Sequence, residues 1–76
     1  MSVKLNLSHH THDFQREFLN IKKLIIFNNP NTAIEVIVDD VKFNILNSKT
    51  FECNGLCFSM TIDVKQVEDV IIEYWK

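Results

Sequence analysis

The sequence has very few of the residues that usually separate structural units, with one glycine and one proline among 76 residues. It contains no internal repeat, linker or low-complexity segment, so we predict a single domain over residues 1–76. A chain this short buries only about 60–65% of its unfolded surface. Its stability is therefore limited, and self-association would increase it.

A strong charge of either sign is also missing. Eight basic and ten acidic residues are interspersed, and the formal net charge of −2 offers no broad electrostatic basis for binding nucleic acid or an anionic membrane. No apolar run approaches the ~20 residues of a membrane span. Residues 1–4 lack the charged start and apolar stretch of a signal peptide. We expect a cytoplasmic protein without a membrane partner.

Composition gives one indication of origin. Asparagine, isoleucine, lysine and phenylalanine are frequent, and their codons are rich in A and T. This usage is associated with a low-GC genome, such as that of a bacterium, a phage or a plasmid.

The strongest local signal is the pair Asn54 and Gly55, which readily takes the positive φ angles of a type I′ hairpin turn. In that register Cys53 faces Leu56, and further pairs follow along the two strands: Phe51 with Phe58, Lys49 with Met60, and Ile45 with Val64. The second strand alternates cleanly between apolar and polar residues, which is typical of a half-buried antiparallel strand.

The same register separates the two cysteines. Cys53 and Cys57 point to opposite faces of the ribbon, so they can neither share a metal ion nor bond to each other. We interpret Cys53 as a small core residue and Cys57 as a partly exposed free thiol.

Asp39 and Asp40 form a second predicted tight turn, which pairs apolar residues across the two strands: Val38 with Val41, Val36 with Phe43, and Ile34 with Ile45. The polar residues 47–49 interrupt the long middle strand, so we predict a bulge or sharp bend there.

The N-terminal third is predicted to contain a short edge strand followed by a helix. Val3, Leu5 and Leu7 alternate with polar residues, and residues 8–13 can begin a helix. Four apolar residues then follow at helical spacing, which places them on one stripe: Phe14, Phe18, Ile21 and Ile25. Residues 24–27 could instead be extended, because β-branched and aromatic residues suit strands.

The predicted fold class is therefore α+β, with one N-terminal helix packed on a strongly bent antiparallel sheet of four or five strands. This order of elements is also compatible with a small Sm-like or SH3-like barrel. The last strand, residues 70–75, is placed at an open sheet edge. The predicted core comprises Phe14, Phe18, Ile21, Phe43, Phe58 and Met60.

No motif indicates catalysis, since the sequence lacks a glycine-rich phosphate loop, a nucleophile elbow and a His-Glu-x-x-His pattern. His9, His10 and His12 could ligate a metal, but on a helix they diverge, so we predict neither a metal site nor a cofactor. A non-enzymatic protein is the favoured reading.

The remaining features indicate binding. The last strand is apolar on both faces, which would leave Ile71 and Trp75 pointing outward as interface anchors, and acidic residues cluster nearby. The predicted partner-binding residues are Ile71, Glu73, Trp75, Glu68, Asp69 and Asp63.

We predict a protein-interaction module that binds another protein or a second copy of itself. An inhibitor encoded by a phage or mobile element, acting by surface occlusion, is one such protein. The alternative is a small β-domain that binds nucleic acid.

Overall fold

The computed structural model describes residues 4–29 and 32–76, and this part of the chain is all-β with no helix. Eight strands are present, with these bounds: β1 Leu5–His10, β2 Phe14–Ile21, β3 Lys23–Asn28, β4 Ile34–Val38, β5 Val41–Ile45, β6 Ser48–Glu52, β7 Phe58–Lys65 and β8 Val70–Trp75. They form two antiparallel four-stranded sheets. Sheet A has the order β1-β8-β3-β6, and sheet B has the order β2-β7-β4-β5.

The chain alternates between the two sheets. Within the described residues only β4 and β5 are consecutive strands of one sheet, and every other connection leads from one sheet to the other. The predicted fold class, a helix on one strongly bent sheet, is therefore wrong. Two separate sheets also differ from the Sm-like or SH3-like barrel that the sequence allowed.

The core lies between the two sheets, and each strand contributes alternate residues to it. Two aromatic pairs cross from one sheet to the other near opposite sides of the sandwich. The rings of Phe18 and Tyr74 are 4.9 Å apart, and those of Phe43 and Phe51 are 5.8 Å apart. Of the predicted core residues, Phe18, Ile21 and Met60 are buried, whereas Phe14, Phe43 and Phe58 are partly buried against the core. The fully buried side chains are Ile21, Leu24, Ile26, Ile34, Val36, Ile62, Val64, Val70 and Ile72.

The predicted helix is replaced by β2 and β3. Phe14, Arg16 and Phe18 point toward the core in ordinary strand alternation. Asn20 then takes a φ of 53°, and the pairing with β7 shifts between Phe18 and Ile21. This bulge moves the next inward residue from an even to an odd position, and Ile21 is fully buried. A bulged strand therefore produces the same apolar spacing as a helix over these residues.

Residues 24–27 are extended, as the alternative reading of this segment predicted. Leu24 and Ile26 on β3 are fully buried, and Ile25 and Phe27 point to the other side of sheet A. The chain passes between the sheets at Lys22, whose backbone N–H donates a hydrogen bond to the Trp75 carbonyl at 2.7 Å.

The turn at Asp39 and Asp40 is confirmed. Both residues have positive φ angles, 45° and 69°, as a type I′ turn requires. The register of β4 and β5 is also the predicted one, with these pairs: Val38 with Val41, Val36 with Phe43, and Ile34 with Ile45.

The turn at Asn54 and Gly55 is confirmed as well, with φ angles of 47° and 79° and a 2.8 Å hydrogen bond from the Leu56 N–H to the Cys53 carbonyl. The predicted pairing beyond it is wrong. After the isolated bridge between Cys53 and Leu56, β6 pairs with β3 and β7 pairs with β2 and β4. The two strands separate because each covers a different side of the same core. Cys53 is exposed, so its predicted core position is also wrong.

The predicted interruption after β5 coincides with a change of sheet at Leu46 and Asn47. The buried side chain of Asn28 fixes this corner. The two N–H groups of its Nδ2 are shared among three carbonyls within hydrogen-bond distance, those of Ile45 at 3.1 Å, Leu46 at 3.2 Å and Thr32 at 3.0 Å. Its backbone N–H donates to the Asn47 carbonyl at 2.7 Å.

The last strand occupies an inner position of its sheet. β8 pairs with β1 on one side and with β3 on the other, so its predicted placement at an open edge is wrong. The edges of sheet A are β1 and β6. The predicted N-terminal edge strand is therefore confirmed as β1, while Val3, which the prediction included, lies outside the described residues.

Candidate partner-binding surface

The side of sheet A that faces away from the core is largely apolar over β1, β8 and β3, whereas the outward residues of β6 are the polar Ser48, Thr50 and Glu52. We call the largely apolar part the outer face of sheet A, and it is defined by these residues of β1, β8 and β3: Leu5, Leu7, His9, Ile71, Glu73, Trp75, Lys23, Ile25 and Phe27. Strand alternation places all of them opposite the buried residues of the same strands.

The antiparallel register arranges these nine residues in three rows. The first row is Leu5, Trp75 and Lys23, the second is Leu7, Glu73 and Ile25, and the third is His9, Ile71 and Phe27. The exposed fractions are 67% for Leu7, 45% for Leu5, 42% for Ile71 and 39% for Phe27. Four of the eight large hydrophobic side chains exposed in residues 4–29 and 32–76 are therefore on this single face. A contiguous apolar patch of this kind marks an interaction surface more often than scattered exposed residues do.

Glu73 occupies the centre of this face. Its neighbours across the two adjacent strands are Leu7 and Ile25, and its neighbours two residues away along β8 are Ile71 and Trp75. All four are apolar. Among the described residues Glu73 makes no ion pair.

Polar groups flank the apolar patch at both ends. At one end the Lys23 ammonium lies 5.4 Å from the centre of the Trp75 ring, within the range of a cation–π interaction. At the other end His9 forms a side-chain hydrogen bond with Asp69. This bond, followed by one from Asn29 at 3.5 Å, lowers the pKa of Asp69.

The predicted partner-binding residues are divided between different parts of the molecule. Ile71, Glu73 and Trp75 lie on the outer face of sheet A, and Asp69 lies at its rim in the connection between β7 and β8. Glu68 belongs to the same connection. Asp63 is on β7 in sheet B, where it pairs with Gln15 and Ile37 and lies 3.4 Å from the Lys65 ammonium.

The sequence prediction did not include six residues of this face, the polar His9 and Lys23 and the apolar Leu5, Leu7, Ile25 and Phe27. The alternation in β1 already contained the signal for the two leucines. Ile25 and Phe27 could be recognised only with β3 treated as a strand, since a helix would place Ile25 toward the core.

A separate group of polar residues links the edge strands β1 and β2, which belong to different sheets. Arg16 Nη1 donates to Ser8 Oγ at 3.2 Å, and Arg16 Nη2 donates to the Tyr74 hydroxyl at 2.8 Å. The guanidinium also lies 4.7 Å from the Phe18 ring centre and 5.1 Å from that of Tyr74. These contacts hold a cation over the end of the aromatic core.

His10 borders this group and stacks on Phe14, with the two ring centres 3.7 Å apart. Burial first, and then the positive charge of Arg16 and the proximity of His9, lower the pKa of His10. Its Nε2 forms a hydrogen bond with Ser8 Oγ at 2.5 Å. Arg16 also donates to Ser8, and these contacts link β1 to β2 at the edge of the sandwich.

The potential metal ligands are dispersed. His9 and His10 are on opposite faces of β1, His12 is in the following connection, and Cys53 and Cys57 are exposed free thiols. In the part of the chain that the structure describes, no group of three or more His, Cys, Asp or Glu side chains could hold a metal ion.

A shallow acidic concavity of about 380 Å³ lies on sheet B, lined by Gln15, Ile37, Asp39, Asp40, Thr61 and Asp63. Asp39 connects the β4–β5 turn to β7 here. Its carboxylate accepts a hydrogen bond from the Thr61 N–H at 3.3 Å, and its own N–H donates to the Thr61 carbonyl at 3.2 Å.

Comparison of the chain with protein-family models, with curated proteins and with solved structures gives no match. Within residues 4–29 and 32–76, no helix is long and apolar enough to cross a membrane.

Proposed function

We propose that this protein is a non-enzymatic protein-interaction module that binds its partner through the outer face of sheet A. The observation that supports the proposal is the set of exposed apolar side chains on one sheet face, with Leu7 the most exposed of them at 67%. Removing such a surface from water on binding releases free energy in proportion to its apolar area.

The inner position of β8 makes this face suitable for docking. Hydrogen bonds to β1 and β3 hold its backbone on both sides, so Ile71 and Trp75 project from a rigid support. A rigid surface loses less conformational entropy on binding than a mobile loop does. Tryptophan is also enriched among the residues that dominate binding energies.

A domain of this kind acts by covering a surface of its partner. The mode of action that we propose is surface occlusion by a small inhibitor, encoded by a phage or a mobile element and working in the cytoplasm of a low-GC bacterium. The amino-acid composition motivates the choice of genome, and the small size with an apolar sheet face motivates the choice of mechanism.

Nucleic-acid binding is the less supported alternative. Phe27 and Trp75 are on a sheet face, where aromatic rings can stack on bases. Lys23 lies beside these rings, with its ammonium over the Trp75 ring, but Arg16 is directed away toward Ser8 and Tyr74. The same face carries the carboxylate of Glu73 at its centre.

The test compares one substitution on the two sheets. Leu7→Glu places a charge on the proposed surface, and Leu19→Glu places it at a site on β2 of sheet B that is 54% exposed. In affinity pull-downs from the source cells, wild type and Leu19→Glu should recover the same protein partner, and Leu7→Glu should lose it. Thermal melting confirms that both variants are folded.

Two results would contradict the proposal. Equal recovery of the partner by both variants would mean that binding does not use sheet A. Recovery of nucleic acid in a salt-sensitive and nuclease-sensitive form, without a protein, would favour the alternative.

A further inference from the structure

We infer that the outer face of sheet A recognises a protein segment in which a lysine or arginine is flanked by apolar residues, with the basic group bound by Glu73. This inference rests on the proposed function, because it specifies the chemistry of the partner at the same surface. The arrangement that supports it is a single carboxylate with apolar neighbours on all four sides: Leu7, Ile25, Ile71 and Trp75.

The nearest basic side chain on this face does not neutralise Glu73. Lys23 is adjacent to Trp75 in the neighbouring row, and its ammonium lies over the indole ring. No ion pair joins Lys23 and Glu73. The Glu73 carboxylate is therefore available to a partner.

The apolar surroundings determine which partner is favoured. A wholly apolar partner that covered Leu7 and Ile25 would also remove water from Glu73 and leave a buried charge without a counterion, which is strongly unfavourable. A partner with a basic group at this point supplies the counterion, and the apolar rim excludes water from the resulting pair. Arginine has the additional advantage of binding a carboxylate through two parallel hydrogen bonds.

A second copy of this chain fits the face less well. In a two-fold contact centred on this face, the middle row of one copy lies over the middle row of the other, so the two Glu73 carboxylates approach each other. Like charges brought together in a contact that excludes water oppose association.

The experiment selects binders from a displayed library of random peptides, with immobilised wild-type protein as the target. Enriched peptides are then measured against wild type, Leu7→Glu, Glu73→Gln and Glu17→Gln. Glu17 is an exposed glutamate on β2 of sheet B and serves as the matched control for loss of one negative charge.

We expect the enriched peptides to contain a lysine or arginine between apolar residues and to lose binding to Leu7→Glu. The affinity of these peptides for Glu73→Gln should be about tenfold or more weaker than for wild type, as expected when one partner of a desolvated charge pair is removed. Glu17→Gln should bind them as wild type does.

The other outcomes separate this inference from the proposed function. Peptides that require Leu7 but lack a basic residue, or that bind Glu73→Gln as well as wild type, would overturn the inference and leave the proposed function intact. Peptides indifferent to Leu7→Glu, or no enriched peptides, would contradict both. Self-association of the wild type that becomes tighter in Glu73→Gln, measured by light scattering, would identify a second copy as the occupant and also overturn the inference.

Discussion

The ring of His10 lies flat against the ring of Phe14, with 3.7 Å between their centres and 10° between their planes. This contact joins β1 of sheet A to β2 of sheet B at the edge of the sandwich. Arg16 and Ser8 are on the same side of the contact, so protonation of His10 would place a second cation beside the guanidinium.

The pH dependence of stability follows from this arrangement. The pKa of His10 is lower in the folded protein than its ordinary value of about 6.5. The unfolded chain therefore binds the proton at higher pH than the folded chain does, and the free energy of unfolding decreases as the pH falls through the interval between these two values. Above the unfolded value the contribution of His10 is constant.

Replacing His10 with phenylalanine should remove most of this pH dependence while keeping the stacking on Phe14. The measurement is chemical denaturation at a series of pH values from about 5 to 8, the range in which a histidine changes its charge. His12→Gln, in the exposed connection after β1, is the control and should keep the wild-type profile. An identical profile for wild type and His10→Phe would show that another group is responsible.

Asn28 should be one of the most sensitive positions outside the apolar core. Asn28→Ala removes the donor for the carbonyls of Ile45 and Leu46 at the corner where the chain changes sheet. Loss of the buried hydrogen bond to Ile45 and the partly buried one to Leu46 should reduce the free energy of unfolding by about 2 kcal/mol. Asn44→Ala, at an exposed position on β5, is the control, with little expected effect. Similar losses of stability in the two variants, measured by denaturation, would contradict this role.

Substitutions of Gly55 test the effect of backbone strain in the turn separately from steric overlap. A Cβ added to Gly55 would have no atom within 4 Å, so any cost arises from the φ of 79°. Gly55→Val should destabilise the protein by about 1–2 kcal/mol, because a β-branched residue resists this conformation. Gly55→Asn should cost much less, since asparagine tolerates positive φ. Equal melting temperatures for the two variants would argue against the type I′ turn.

Ile71 and Trp75 should contribute to association more than to folding. Ile71→Asp and Trp75→Ala alter the outer face of sheet A but leave the inward residues of β8 unchanged. We expect each variant to weaken partner binding by at least about tenfold, as is usual for an interface anchor, and to have a smaller effect on thermal melting. Val41→Asp on sheet B, at a position that is 56% exposed, is the matched control. Unchanged partner affinity in both variants would show that Ile71 and Trp75 are not part of the interface.

Local turn chemistry could be predicted from the sequence. The pairs Asp39 with Asp40 and Asn54 with Gly55 adopt the expected positive φ angles, because this preference depends mainly on the residues themselves. The strand partners beyond a turn were predictable only for β4 and β5. After Gly55, the partner of each strand is decided by which side of the core it covers, and this depends on residues far away in the chain.

The false helix has a similar explanation. The spacing of Phe14, Phe18 and Ile21 satisfies a helical period, but the structure generates it with a strand whose alternation is shifted at Asn20. A bulge leaves no reliable trace in the apolar pattern of one sequence. The same error concealed part of the candidate surface. The outward direction of Ile71 and Trp75 could be predicted from alternation within β8 alone. Ile25 could be assigned to the same face only once β3 was recognised as the neighbouring strand.

The position of β8 between β1 and β3 also constrains how the protein is made. Sheet A cannot be completed until residues 70–75 have left the ribosome, although β1 and β3 are synthesised long before. During that interval β1 lacks its hydrogen-bonded neighbour in sheet A and β3 lacks one of its two, and contacts between distant parts of a chain form slowly. We therefore expect the domain to fold in one late step, with its N-terminal half exposed to chaperones and proteases until the final strand arrives.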